Sequence, residues 1–428
     1  MKKLLVLLTV LLVGLLVMSE TITFWTTQVE SDRQQRIKAL AQIFNAQTGH
    51  TIEIVPIEEN EILRQIPIAQ KSNTLPDVIE GGISPMILLG SQGFMDVERN
   101  TKIIEDFGDV YNGAARLLSN GEGNHYAVPF SAWVQGIWYR KDWLEPRQLG
   151  EPTSWYNLLT AVKALNNPAE GVYGLVLPKA ADAYTEQVFS EIALSNGARP
   201  IDTEGNIMFD SQEMIEAFRF YKELGKYAKP GFTSVMDALK GYLSDEVAMI
   251  FYSTYVMDDI AVEEVQRGRV DDFNPELVKN TGFGNRMYNI KPSSFGEIVA
   301  VSVLDTSKNK DVAEEWIKFL MTEDNYIYYL HMAPGGMNPT RSSIAESDKF
   351  LDNPILSKYD KDQITGIVAA LDEVERFEFL DGEIIDEMSQ LSANFVIGKA
   401  INYMFANDWT PQRTAQWAQQ EAERILGK

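Results

Sequence analysis

The 428-residue chain has no cysteine and only three histidines. Without thiols there is no disulfide framework, no thiolate nucleophile and no cysteine-bound zinc. There is also no N-terminal cysteine to carry a lipid. His50, His125 and His331 form no pair at metal-ligand spacing, so no metal site is expected. Basic residues are scarce too: 38 Lys and Arg stand against 61 Asp and Glu, for a net charge of −23. A nucleic-acid partner needs a basic face and is not expected. No G-x-S-x-G elbow, H-E-x-x-H pair or phosphate-binding glycine loop occurs, so no catalytic residues and no cofactor are expected. Gly81-Gly82 reads as a turn after a strand. Tandem repeats are absent as well, which excludes a solenoid.

What is present begins with Met1-Lys2-Lys3, an apolar run from Leu4 to Met18 broken by Thr9 and Gly14, and then polar Ser19-Glu20-Thr21. A basic start, a short apolar core and a small residue before polar sequence are the plan of a signal peptide, here residues 1–19. The mature protein is expected to be exported, periplasmic or extracellular, soluble and not lipid-anchored. No later run is long and apolar enough to span a bilayer.

The length asks for more than one core. Ile22, Phe24 and Trp25 lie in an extended run, and Gln34–Thr48 carries Ile37, Leu40, Ala41 and Phe44 at helical spacing up to Gly49. Ile52 and Ile54 alternate as in a strand, 61–73 reads as a helix containing Pro67, and 75–79 is a further strand. This βαβαβ order predicts an α/β lobe with a largely parallel sheet. The pattern recurs, with helices over 153–166 and after Asp210-Ser211-Gln212-Glu213, which resembles a capping box. Strands are predicted at 171–178, 247–252 and 298–304. From Glu383 onward the pattern is mainly helical.

Carboxylates are too numerous for any pair to stand out. Asp258-Asp259, Glu263-Glu264 and Asp271-Asp272 read as solvated charge. Aromatics are more informative, because Trp25, Trp133, Trp138, Tyr252, Tyr255 and Phe295 lie at or near predicted strand ends, where α/β sheets collect ligands. Flat rings suit the C–H faces of sugars, and nearby carboxylates and amides suit the hydroxyls. Trp138 and Tyr252, inside apolar runs, read as core. Trp25 and Tyr255, beside small polar residues, read as site.

The order of several short motifs resembles the family 1 extracellular solute-binding proteins of ABC importers, which include the maltose-binding proteins. Carrying the likeness are Phe44-Asn45-Ala46-Gln47-Thr48-Gly49, Leu75-Pro76-Asp77-Val78, Tyr126-Ala127-Val128-Pro129-Phe130, Trp138-Tyr139-Arg140-Lys141-Asp142 and Pro152-Thr153-Ser154-Trp155. Ser195-Asn196-Gly197, Phe209-Asp210-Ser211, Ala248-Met249 and Ser307-Lys308-Asn309-Lys310 follow in register. The resemblance implies a two-lobed α/β fold with three interlobe crossings and a ligand cleft between the lobes. The crossings are expected near 130–132, near 296–298 and after Arg341. Lobe 1 would comprise 20–131 plus 298–345, and lobe 2 would comprise 132–297 plus 346–428.

It further implies a monomer that closes on a carbohydrate and hands it to the membrane permease. By the same resemblance the ligand contacts would be Trp25, Thr27, Gln28, Glu80, Ser84, Trp133, Tyr184, Tyr255, Phe295, Glu297 and Arg341. The C-terminal helices lack an obvious stacking tryptophan in the matching stretch, a departure from the maltose binders. Two other readings stand beside this one: a binder of a polyol or glycerol phosphate, and a secreted glycoside hydrolase using Glu80 and Glu297.

Overall fold

The structure, a computed structural model, describes residues 19–231, 233–380 and 383–428. Apart from Ser19, the expected signal peptide lies outside the described residues. Strands β1 (Thr21–Thr26), β2 (Thr51–Pro56) and β3 (Val78–Gly81) pair in parallel, with Ile22 opposite Ile52 and Phe24 opposite Val78. Parallel neighbours need crossovers, which the helices Ser31–Thr48 and Ile62–Ser72 supply. The first helix buries Ile37, Leu40, Ala41 and Phe44 and ends at Gly49. The second continues through Pro67. The carbonyl that proline leaves unpaired belongs to Leu63, an exposed residue, so the solvent can serve it.

Strand β4 (Val128–Arg140) is 13 residues long. Its first half lies between β9 (Phe295–Val303) and β10 (Asn338–Pro339), and β9 pairs in turn with β3. The second half carries β5 (Met249–Ser253) and β6 (Thr281–Gly284). Between β6 and β9 sits the small hairpin of β7 (Met287–Tyr288) and β8 (Pro292–Ser293). The fold is therefore a two-lobed α/β structure in which two continuous strands run from one lobe to the other. At the change-over Trp133 lies opposite Glu297, and Val134 opposite Gly296. The third connection follows β10.

Several local expectations change. Residues 171–178 form no strand; they make single parallel bridges, Tyr173 to Val247, Leu175 to Ala228 and Val176 to Ile250. Ser211 caps the helix Gln212–Leu224 by accepting from Met214 N. The third helical position is therefore Met214 and not Glu213, so the box lacks its reciprocal half. A complete capping box heads Val235–Leu243 instead, with Ser234 and Asp237. Asp259 is buried and not solvated, held by Arg269 at 2.8 Å. Residues 370–374 touch both sides: the Gly113 amide donates to Asp372 Oδ1 at 3.1 Å, while Arg286 pairs with Glu373 at 2.7 Å. The hairpin of β11 (Phe379–Leu380) and β12 (Glu383–Ile384) does the same, with β12 packed on the helix Ile83–Ser91 and Arg199 donating to Phe379 O at 3.3 Å.

Helix Ala183–Ser195 is buried along nearly its whole length beneath the second lobe's strands. On it Glu191 is fully buried; one oxygen accepts from Gln135 Nε2 on β4 at 3.3 Å and the other has no hydrogen-bond partner. Burial pushes this carboxyl up to about 8 from an ordinary 4.5. Above pH 4.5 the unfolded chain releases the proton that the folded chain retains, so this group lowers stability as pH rises toward 8. Glu191→Gln removes the titration. Its stability advantage over the parent is expected to grow by about 2–4 kcal/mol between those limits, at 1.36 kcal/mol per unit. Urea melts at several pH values measure this, and parallel curves for the two proteins would refute it.

Candidate ligand site between the lobes

The change-over on β4 and β9 places two aromatic rings side by side. Trp133 is half-buried, Phe295 is buried, and their centroids are 6.1 Å apart. Arg376 lies over the Phe295 ring at 4.8 Å and ion-pairs with Glu297 and with Glu378, the latter at 3.3 Å. Burial by itself lowers the guanidinium's pKa, but Glu378 and Glu297 outweigh that and raise it above its ordinary value.

Glu297 also accepts from the Ile83 amide at 2.9 Å, while Glu59 accepts from the Gly82 amide at 3.1 Å. Both amides belong to the start of the helix Ile83–Ser91. The carboxylates crowd Gly82: a Cβ there would stand 2.2 Å from Glu59 Oε1 and 3.2 Å from Glu297 Oε1, so Glu59 would have to shift. Although Glu59 is exposed as a residue, its carboxyl end is turned inward. Desolvation there, and then the Glu297 charge, raise its pKa. A recess of 450 Å³ opens here, bounded by Glu58, Glu59, Ser84 and Glu297. A smaller one of 110 Å³ lies on the other side of Arg376, bounded by Glu186, Gln187, Phe295 and Ser392. Burial pushes Glu186 up to about 7, against the hydrogen bond it accepts from Ser392.

Tyr255 borders the same space from the second lobe. It stands just before the helix Val256–Ala261, is 37% exposed, and feels the charges of Arg33, Glu30 and Glu59 on the first lobe. Its ring packs against Gly336, where a Cβ would come within 2.2 Å. Thr27 is half-buried and Ser84 exposed. Thus Ser84, Trp133, Tyr255, Phe295 and Glu297 lie at or beside the interlobe space, while Thr27 follows β1 and its amide donates to Glu80.

The remaining expected contacts are placed elsewhere. Trp25 is only 7% exposed and belongs to an apolar cluster with Ile62, Ile79 and Ile83. Glu80 is fully buried. It accepts from Thr26 Oγ1, from Gln28 Nε2 at 3.0 Å, from Tyr329 OH at 2.8 Å and from the Thr27 amide. Burial raises its pKa and these donors oppose the rise. Gln28 is equally committed, since its Oε1 accepts from Arg33 at 3.0 Å. The end of β1 therefore forms a closed polar knot, and Glu80 does not face Glu297 as a hydrolytic pair would. Tyr184 is a core residue whose hydroxyl donates to Phe251 O at 2.7 Å. Arg341 is held on the first lobe by Asp109 at 2.7 Å, Met321 O at 2.7 Å and the face of Phe107. Tyr252 is half-buried and Trp138 fully buried, its Nε1 donating to Tyr252 O at 3.0 Å.

Sequence reasoning missed Glu59, Glu186 and Arg376. Their meeting depends on pairings 79 and 214 positions apart, Glu297 with Arg376 and Ile83 with Glu297. The one available signal was the acidic run 58–61 before a helix. Among the described residues no group of three or more His, Cys, Asp or Glu is placed to hold a metal, and no helix is long and apolar enough to cross a membrane. A larger recess of 740 Å³ lies between Val97–Phe107 and Lys310–Leu320. It is lined by charges that pair with one another, such as Arg99 with Asp311 at 3.0 Å and Lys318 with Glu314 at 2.7 Å.

Residues 28–327 match the family of bacterial extracellular solute-binding proteins. The chain belongs to that family. A similar protein is the putative ABC transporter periplasmic-binding protein YcjN of Escherichia coli K12, 26% identical over 95% of this chain and 93% of that one. A mannitol-binding protein of Pseudomonas aeruginosa is 28% identical over 50% of each chain. Among solved structures, the cyclic alpha-maltosyl-1,6-maltose binding protein of Arthrobacter globiformis superposes with a TM-score of 0.74 at 16% identity, covering 95% of this chain and 98% of that one. That likeness bears on the two-lobed fold of this solute-binding protein.

The buried knot gives a direct test. Tyr329→Phe removes one donor from a fully buried carboxyl. It is expected to cost about 1–3 kcal/mol of unfolding free energy, read by urea denaturation. A variant as stable as the parent would show that Glu80 does not depend on this hydroxyl.

Proposed function

We propose that this solute-binding protein captures a carbohydrate in the interlobe cleft and delivers it to the membrane permease of an ABC importer. The observation that carries the reading is the Trp133–Phe295 pair at the change-over, set beside the carboxylates of Glu297 and Glu59. Rings offer an apolar platform to a sugar face, and the carboxylates accept from its hydroxyls. The protein is exported and soluble, without a lipid anchor, and acts as a monomer without catalysis. Its lobes divide as 20–131 plus 298–345 and 132–297 plus 346–428, with residues 370–384 reaching back over the first lobe. Lobe closure about β4 and β9 is hinge motion, which brings Tyr255 toward Glu59 and Ser84. A linear polyol is the second reading, favoured by the mannitol-binding relative.

A thermal-shift screen of mono-, di- and oligosaccharides and polyols tests this proposal. A true ligand at 100 times its Kd stabilises the fold by about 2.7 kcal/mol. A flat response across the whole panel would sink the carbohydrate reading. With the best ligand, Trp133→Ala is expected to weaken binding by roughly 2–4 kcal/mol in calorimetry, the range of a central aromatic contact. Ligand-free stability should change little. Unchanged affinity in a folded variant removes Trp133 from the site.

A further inference from the structure

A helix N-terminus presents free amides and a positive dipole end, and so attracts anions. At Ile83–Ser91 those amides border the recess beside the change-over, but the protein's own carboxylates already occupy them: Glu59 on Gly82 at 3.1 Å and Glu297 on Ile83 at 2.9 Å. The two carboxylates are not equally balanced. Glu297 is ion-paired with Arg376, which also serves Glu378. Glu59 makes no ion pair among the described residues, and its neighbours in the recess include Glu58 and Glu297. Glu80 adds further negative charge, and the Arg376 cation opposes it only as the weakest of the main influences on Glu59.

We infer that Glu59 is a specificity-determining residue whose carboxylate holds the Gly82 amide and turns anionic solutes away, so that the cleft takes uncharged polyhydroxyl ligands and rejects their acidic counterparts. This rests on the carbohydrate reading above. A hydroxyl entering the recess can donate to Glu59 and leave the Gly82 bond intact. A carboxylate, or a phosphate monoester in the dianionic form that prevails above its second pKa of about 6, has no proton to offer. It must either displace Glu59 from the amide, leaving two anions in one recess, or face Glu59 directly. Both arrangements are repulsive in a partly desolvated space. The same argument disfavours glycerol phosphate as a ligand, although a helix N-terminus at a cleft would ordinarily favour it.

The test compares neutral solutes with their acids by calorimetry on the full mature chain: mannitol against mannonate, maltose against maltobionate, and glucose against glucuronate. For whichever neutral member binds, the acid is expected to bind ~100-fold more weakly. Glu59→Gln keeps an oxygen for the Gly82 amide and removes the charge. It should raise the acid-to-neutral affinity ratio by ~10-fold or more. An acid that binds the parent as tightly as its neutral partner overturns the filter, as does a ratio unmoved by Glu59→Gln. Failure of every neutral probe would defeat the carbohydrate reading itself and the filter with it, whereas a bound neutral probe with an unmoved ratio defeats the filter alone. If Glu59→Gln does not fold, the parent carries the test: rejection of the acid should weaken as salt is added, and a salt-independent ratio counts against the charge.

Discussion

Thirteen consecutive residues of extended chain, Val128–Arg140, have to satisfy backbone hydrogen bonds with two different sets of neighbours. Before Trp133 the partners are β9 and β10; after Gln135 they are β5 and β6. A strand this long cannot fold with one lobe and ignore the other, so the lobes are coupled through backbone. β9 repeats the constraint, because it leaves Phe295 at the cleft and ends paired with β3 deep in the first lobe. Residues at the change-over therefore gain no freedom from being between domains. Their side chains are aimed by sheet pleat, alternately toward the cleft and away from it. That is why Trp133 and Phe295 meet, and why Val134 beside them is fully buried.

Environment then gives like residues unlike roles. Glu80, Glu191, Glu186, Glu297 and Glu59 are all carboxylic acids within the two lobes. Glu80 is surrounded by donors and stabilises the end of β1. Glu191 has a single donor and a bare oxygen, and burial favours its neutral form. Glu297 is balanced by Arg376 and Glu59 is not. Desolvation penalises the charge in each buried case, and the number of donors and cations decides how much of that penalty is returned.

The sequence reveals what depends on neighbours a few positions apart. The first lobe's βαβαβ unit follows from apolar spacing, and the helices near 31–48, 62–72, 155–165 and 310–320 follow from the same rule. Residues 171–178 look like a strand by composition, yet they bridge Asn167, Val247, Ala228 and Ile250 one residue at a time, which no local pattern can reveal. Of the site, the aromatic side was legible because rings at strand ends are visible in the chain. The polar side was not. Tyr184 and Arg341 look available in sequence because their partners, the Phe251 carbonyl and Asp109, lie 67 and 232 positions away. Arg376 is invisible for the same reason, since its value comes from Glu297 and Phe295 on another strand.

This separation between near and distant partners explains the layout of the cleft. Its aromatic floor is fixed by two continuous strands and can be placed by backbone alone. Its charged wall is assembled from the loop after β2, the start of Ile83–Ser91, β9 and the segment after 374. Those pieces meet only when the third connection has returned residues 370–384 to the first lobe. Arg376 is the tie among them: it rests on Phe295, neutralises Glu297, and through Glu297 reaches the Ile83 amide. The tie also reaches the other way, because the Arg376 carbonyl accepts from Arg199, which follows the buried helix Ala183–Ser195, at 3.1 Å. Tyr255 likewise spans the gap, its ring packed on Gly336 just before β10. The aromatic and charged sides of the site are thus each anchored to pieces of chain from both sides of the change-over.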